Sequence, residues 1–106
     1  VSKAAENNDP LMIKALHIWL NAYGSAAGDI ALQELCYSGL WIGGGTAAKH
    51  IKGLRSKSFL EAMKNKGRFQ CFIQELPVMA LIDPEAGLLG AASRAHKLSV
   101  STEQII

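Results

Sequence analysis

The feature that most constrains this 106-residue chain is the run Leu40-Trp41-Ile42-Gly43-Gly44-Gly45-Thr46. Three apolar residues without polar alternation read as a short strand that must be covered on both faces. Three glycines then turn the chain sharply, Thr46 is a good N-cap, and residues 47–54 read as a helix. A second apolar run, residues 78–82, is restarted by Pro77 and turned by Asp83-Pro84, and it reads as another strand. Two strands make no independent sheet. As parallel neighbours joined by the helices between 46 and 75, they belong to a larger sheet completed by other chain or by a partner. The expected class is α/β, mostly helical with two short strands, and the chain reads as a fragment of a larger protein.

The helices have their own signals. Asp9-Pro10 is a start signal, because Asp9 caps free N–H groups and Pro10 fits the first turn. Leu11, Ala15, Ile18 and Ala22 recur at helical spacing, which predicts a helix to about residue 23. Gly24-Ser25 breaks the pattern, and a second helix is expected over 26–36. Gly24 and Gly28 are four apart and share a face. A glycine inside a helix costs about 1 kcal/mol against alanine, so something must approach the backbone there, either another helix or a ligand. Ser56 or Ser58 caps the next helix, which carries Phe59, Leu60 and Met63. A short helix over 68–75 buries Phe69, Phe72 and Ile73, and a last one over 85–98 turns Leu88, Leu89, Ala92 and Ala95 inward. Residues 1–98 are thus expected to form one partial domain and residues 99–106 a tail.

Composition removes several function classes. Eleven basic against nine acidic residues leave a charge of +2, and few aromatics lie among the basic clusters Lys49, Lys52, Arg55, Lys57 and Lys64, Lys66, Arg68. These read as solvated helix faces, and no nucleic-acid partner is expected. No apolar run approaches the roughly 20 residues that cross a bilayer, so no membrane partner is expected either. The first ten residues carry no apolar stretch of a secretory signal. Cys36 and Cys71 sit in apolar surroundings and read as buried free thiols of a reducing, cytoplasmic compartment. His17, His50 and His96 lie far apart in different helices and suggest no metal site. Asp9 reads as a cap and Asp83 as a turn residue, so no catalytic residue is assigned.

Two segments can carry binding chemistry. Gly43-Gly44-Gly45-Thr46 offers backbone free of Cβ atoms in front of a helix N-terminus, an arrangement that suits a nucleotide. On spacing alone a plain strand-to-helix turn is the simpler reading. A dinucleotide fingerprint fits Gly43, Gly45 and Ala48 loosely, but the acidic residue nearest the required distance, Glu61, falls in a helical pattern, and no Gly-Lys-Ser/Thr completes a P-loop. The second segment is Tyr23 to Asp29, where a close backbone pair can flank a flat ring and Asp29 can accept from a sugar hydroxyl. Helix packing explains its glycines about as well.

The stretches GLWIGGGTAAKH, FLEAMKNKGRFQCFIQELPVMALIDPEAGLLGAA and YGSAAGDIAL resemble, in order and spacing, the C-terminal part of bacterial-type glucokinases, over about residues 20–97. The resemblance implies a fragment of the large domain of an actin-like, ribonuclease-H-like sugar kinase fold. It implies a parent enzyme that uses ATP and Mg2+ to phosphorylate the 6-hydroxyl of glucose. Gly44 and Gly45 then match the adenosine-side Gly-Gly pair, and Gly28 the first position of a Gly-Asn pair. Asp29 stands where many members carry Asn, and Thr46 where an aliphatic residue is common. No stretch matches the family's phosphate loop, catalytic aspartate or glucose-holding residues, so the chain alone is expected to be inactive. The expected partners are glucose, ATP and the N-terminal part of the kinase, and members often form homodimers. A sugar-responsive repressor related to sugar kinases and a plain helical interaction module are the alternatives.

Overall fold

A computed structural model describes residues 3 and 6–105, with side chains as far as Ser101. The signal at Asp9-Pro10 acts as read. Asp9 lies in extended backbone and its carboxylate accepts from the N–H groups of Leu11 (3.0 Å) and Met12 (3.4 Å), with Pro10 in the first turn. The helix that follows, α1 (Pro10–Glu34), runs unbroken for 25 residues and stops at Leu35 in left-handed geometry. The expected break at Gly24-Ser25 is therefore corrected: one helix replaces two. A glycine costs about 1 kcal/mol in a helix, which weakens the helix without ending it. Here α1 gains a contact that only glycines allow, because a Cβ at Gly24 or Gly28 would overlap the main-chain carbonyl of Phe59 or Met63.

Those two carbonyls belong to α4 (Lys57–Lys64), the helix most closely packed on α1. Phe59 and Met63 from α4, Ile73 from α5 (Gln70–Glu75), and Ala31 of α1 form the centre of the core. Tyr23 meets the Phe59 ring edge-on at 5.6 Å. Ser56 occupies the cap position of α4, but its hydroxyl donates to the Gly53 carbonyl instead of accepting from the helix, and Ser58 Oγ instead pairs with His17 Nδ1 at 2.6 Å.

The two strands, β1 (Leu40–Ile42) and β2 (Val78–Ala80), pair in parallel with Leu40 opposite Val78 and Ile42 opposite Ala80. Leu40 N–H donates to the Pro77 carbonyl and Leu81 N–H to that of Ile42, each at 2.8 Å. The connection carries α2 (Gly45–Lys49), α3 (Ile51–Leu54), α4, a 3-10 turn at Gly67–Phe69, and α5. The single helix expected over 47–54 is thus two short ones, parted at His50, whose ring lies 5.2 Å from that of Trp19. Thr46 is not the cap: Gly44 takes that position and Thr46 lies within the first turn. The helix expected over 68–75 opens as a 3-10 turn over Gly67–Phe69, with Gly67 at a φ of 59°. Cys36 is half-buried but Cys71 is exposed, which corrects the reading of both thiols as buried.

The last helix, α6 (Ala86–Ile105), extends beyond its expected end near residue 98, and Ile106 lies outside the described residues. Its apolar positions do not face inward. Leu88 is 72% exposed, and none of the other described elements packs along the helix. The radius of gyration of 17.7 Å shows the consequence. A compact domain of this length has about 13 Å. Asp83 starts this helix as a turn residue, its Oδ1 accepting from Glu85 N–H at 2.9 Å.

Candidate functional site

The glycine turn sits at the carboxyl end of β1, where open parallel sheets take ligands. Ile42 is buried, and Gly43, just past the strand, lies beside Leu81, whose Cδ1 would be 3.2 Å from a Cβ on Gly43. Gly44 has φ 101° and ψ 169°, a region open essentially to glycine alone, and its carbonyl accepts from Ala48 N–H at 3.3 Å. A Cβ at Gly44 or Gly45 would meet no atom within 4 Å. The turn therefore presents bare main chain to open space, with no side chain capping the first N–H groups of α2. That helix has five residues and brings little dipole of its own.

The other segment is arranged differently. Gly28 is buried, and the atoms nearest to a Cβ there would be the Met63 carbonyl oxygen and Lys66 Cε, the latter at 2.7 Å. Of the two partners open for this glycine stripe, a helix is the one present. Lys66 crosses over Gly28 and spends its three donors on α1: Asp29 Oδ1 at 2.6 Å, the Ser25 carbonyl at 3.0 Å and Ser25 Oγ at 3.2 Å. The lysine side chain is 12% exposed and the aspartate side chain 69%. Lys66 thus departs from the solvated basic cluster in which the sequence placed it. Its acceptors, Ser25 and Asp29, lie far upstream, and no local sequence signal pointed to them. Asp29 also borders a cleft of about 620 Å3 whose aromatic wall includes Tyr37 and Phe72, packed edge-to-face at 5.1 Å. Arg68 lies 5.1 Å above the ring of Phe69, which lines the same cleft.

Gly44 and Gly45 are brought together on the turn, and Gly28 and Asp29 on α1. None of the described clefts is lined by residues of both pairs. Among the described residues no group of three or more His, Cys, Asp or Glu side chains is placed to hold a metal ion. No described helix is long and apolar enough to cross a membrane.

Against known proteins, the family model described as Glucokinase matches residues 1–98. The chain belongs to the glucokinase family. A glucokinase of Nostoc punctiforme is 39% identical over 95 residues, covering 90% of this chain and 28% of that protein. One from Synechocystis is 41% identical over 93 residues, covering 87% of this chain and 26% of that protein. A more distant member, from Stenotrophomonas maltophilia, is 32% identical over 95 residues, covering 90% and 28%. The chain therefore spans a little over a quarter of the length of the curated glucokinases it matches. No solved structure gives a significant match. As a glucokinase-family fragment the chain is a mostly helical unit with two short parallel strands.

Proposed function

We propose that this chain is the C-terminal large-domain part of a cytoplasmic glucokinase that transfers the γ-phosphoryl group of ATP to the 6-hydroxyl of glucose. The family match over residues 1–98 carries the reading. The geometry that supports it is the open main chain of Gly44 and Gly45 at the end of a parallel strand, where an added Cβ would meet no atom within 4 Å. In this proposal Gly44 and Gly45 border the adenosine, the exposed Asp29 carboxylate stands on its second wall, and Gly28, covered by Lys66 and the Met63 carbonyl, supports that wall from behind. Gly28 contributes by letting Lys66 lie across the helix, and Lys66 fixes the Asp29 carboxylate and offsets its charge near an anionic nucleotide.

Phosphoryl transfer depends on positioning and on stabilising charge between two lobes. This part would anchor the nucleotide at its base and sugar, and magnesium, held through the phosphates and by the rest of the protein, would neutralise charge at the transferring group. The chain alone would then bind nucleotide weakly and turn over no glucose. A coupled assay for glucose 6-phosphate tests both statements. The full-length protein is expected to form it from glucose, ATP and Mg2+, and this chain to stay at the blank. A full-length protein without turnover overturns the kinase reading, and turnover by these 106 residues overturns their inactivity.

A further inference from the structure

The first half of α1 forms one wall of a cleft of about 560 Å3, and residues 48–56, around α3, form the other. Its floor is apolar. Leu20 is buried there, and Leu16 and Ile51 pack against the core beside it. Around the floor stand His17 from α1 and Lys49, His50 and Lys52 from the opposite wall. Both imidazoles are placed by neighbours: Ser58 Oγ lies 2.6 Å from His17 Nδ1, and the Trp19 ring lies against that of His50. Glu6 is the one carboxylate among the described lining residues. Among the described residues Lys66 is the lysine that finds a carboxylate partner, whereas Lys49 and Lys52 are exposed and enter no ion pair. A cleft walled by charge of one sign concentrates counter-ions, and an ammonium group donates charge-assisted hydrogen bonds to phosphate oxygens. Small-molecule sites of roughly 300–1,000 Å3 combine such an apolar lining with a few polar groups.

We infer that this cleft is a binding site for a phosphate monoester, separate from the nucleotide border. Lys49 and Lys52 donate to the phosphate, and the carbon body of the ligand rests on Leu16, Leu20 and Ile51. None of Gly28, Asp29, Gly44 and Gly45 lines the cleft. One short helix joins it to the glycine turn, since α2 begins at Gly45 and ends at Lys49. The apolar floor distinguishes the ligand from inorganic phosphate, and the two ammonium groups distinguish it from an uncharged ring. The inference rests on the placement of these side chains and is independent of the chemistry proposed above.

Competitive lysine acetylation of the full-length product of the reading frame that encodes this chain tests it, read residue by residue by mass spectrometry. The probes are phenyl phosphate, inorganic phosphate and phenol at equal concentration and ionic strength. Phenyl phosphate is expected to slow acetylation of Lys49 and Lys52 several-fold and to leave Lys57 and Lys97, exposed and outside the cleft, unchanged. Inorganic phosphate should protect less and phenol not at all, and Lys49→Gln should weaken the protection of Lys52. Unchanged rates at Lys49 and Lys52 overturn the inference. So does equal slowing at all four lysines, which reports screening, or equal protection by inorganic phosphate or phenol. Lys49 and Lys52 that resist acetylation without any probe overturn it as well, because the cleft is then filled by protein.

Discussion

Replacing Gly24 by alanine should destabilise the chain although alanine is the better helix former. An added Cβ would overlap the Phe59 carbonyl oxygen and lie 3.0 Å from its carbonyl carbon and 3.2 Å from its Cα, where ordinary contact begins at 3.4 Å. The obstacle is main chain of a helix anchored by Phe59 and Met63, two of the most deeply buried side chains, so relief requires moving α4 as a body. Overpacking of this kind costs roughly 1–3 kcal/mol. The propensity gain from Gly to Ala offsets about 1 kcal/mol of it. The expected net loss is up to about 2 kcal/mol, read as a lower urea midpoint with unchanged slope by far-UV circular dichroism. Gly90→Ala is the control. It lies in α6 with no atom within 4 Å of its Cβ position, so it should show the propensity gain alone and shift the midpoint upward. If Gly24→Ala stabilises as Gly90→Ala does, the close approach of α1 and α4 is refuted.

Four further outcomes follow from the geometry. Lys66→Met removes three hydrogen bonds to α1 and should cost about 1–2 kcal/mol in the same titration, while Asp29→Asn, which keeps an acceptor at an exposed position, should cost less than about 1 kcal/mol. Gly44→Ala meets no clash but forces alanine to φ 101°, so it should lose roughly 1–3 kcal/mol by strain alone. Asp9→Ala removes the cap of α1 and should lower stability by about 0.5–2 kcal/mol, with α1 fraying from its first turn in hydrogen exchange.

What the sequence made legible was local or chemically unambiguous. Asp9-Pro10 starts a helix because carboxylate and imide ring act within three residues. The apolar runs on either side of the helical segment were readable as parallel neighbours, because parallel pairing needs a crossover of that length, and they do pair in parallel. The glycine turn was readable from composition, though Gly44, not Thr46, holds the cap. What escaped was set by distant partners. Gly24 looked like a break because its penalty is visible in sequence, and the Phe59 carbonyl that rewards it lies 35 residues away. Lys66 looked solvated until Ser25 and Asp29 supplied its acceptors from 41 and 37 residues upstream. In α6 the periodicity was correctly helical, but the inward face assigned to Leu88 and Leu89 has nothing to face among the described residues.

The open turn as a nucleotide border is tested most directly by steady-state kinetics of the full-length protein carrying Gly45→Val. The branched side chain would enter space that is empty in the fold, and no protein atom within 4 Å of the Gly45 Cβ position opposes its first carbon. The expected result is a KM for ATP raised by about tenfold or more, equivalent to about 1.4 kcal/mol, with the KM for glucose unchanged. Unchanged constants for both substrates would contradict the placement of adenosine against Gly44 and Gly45.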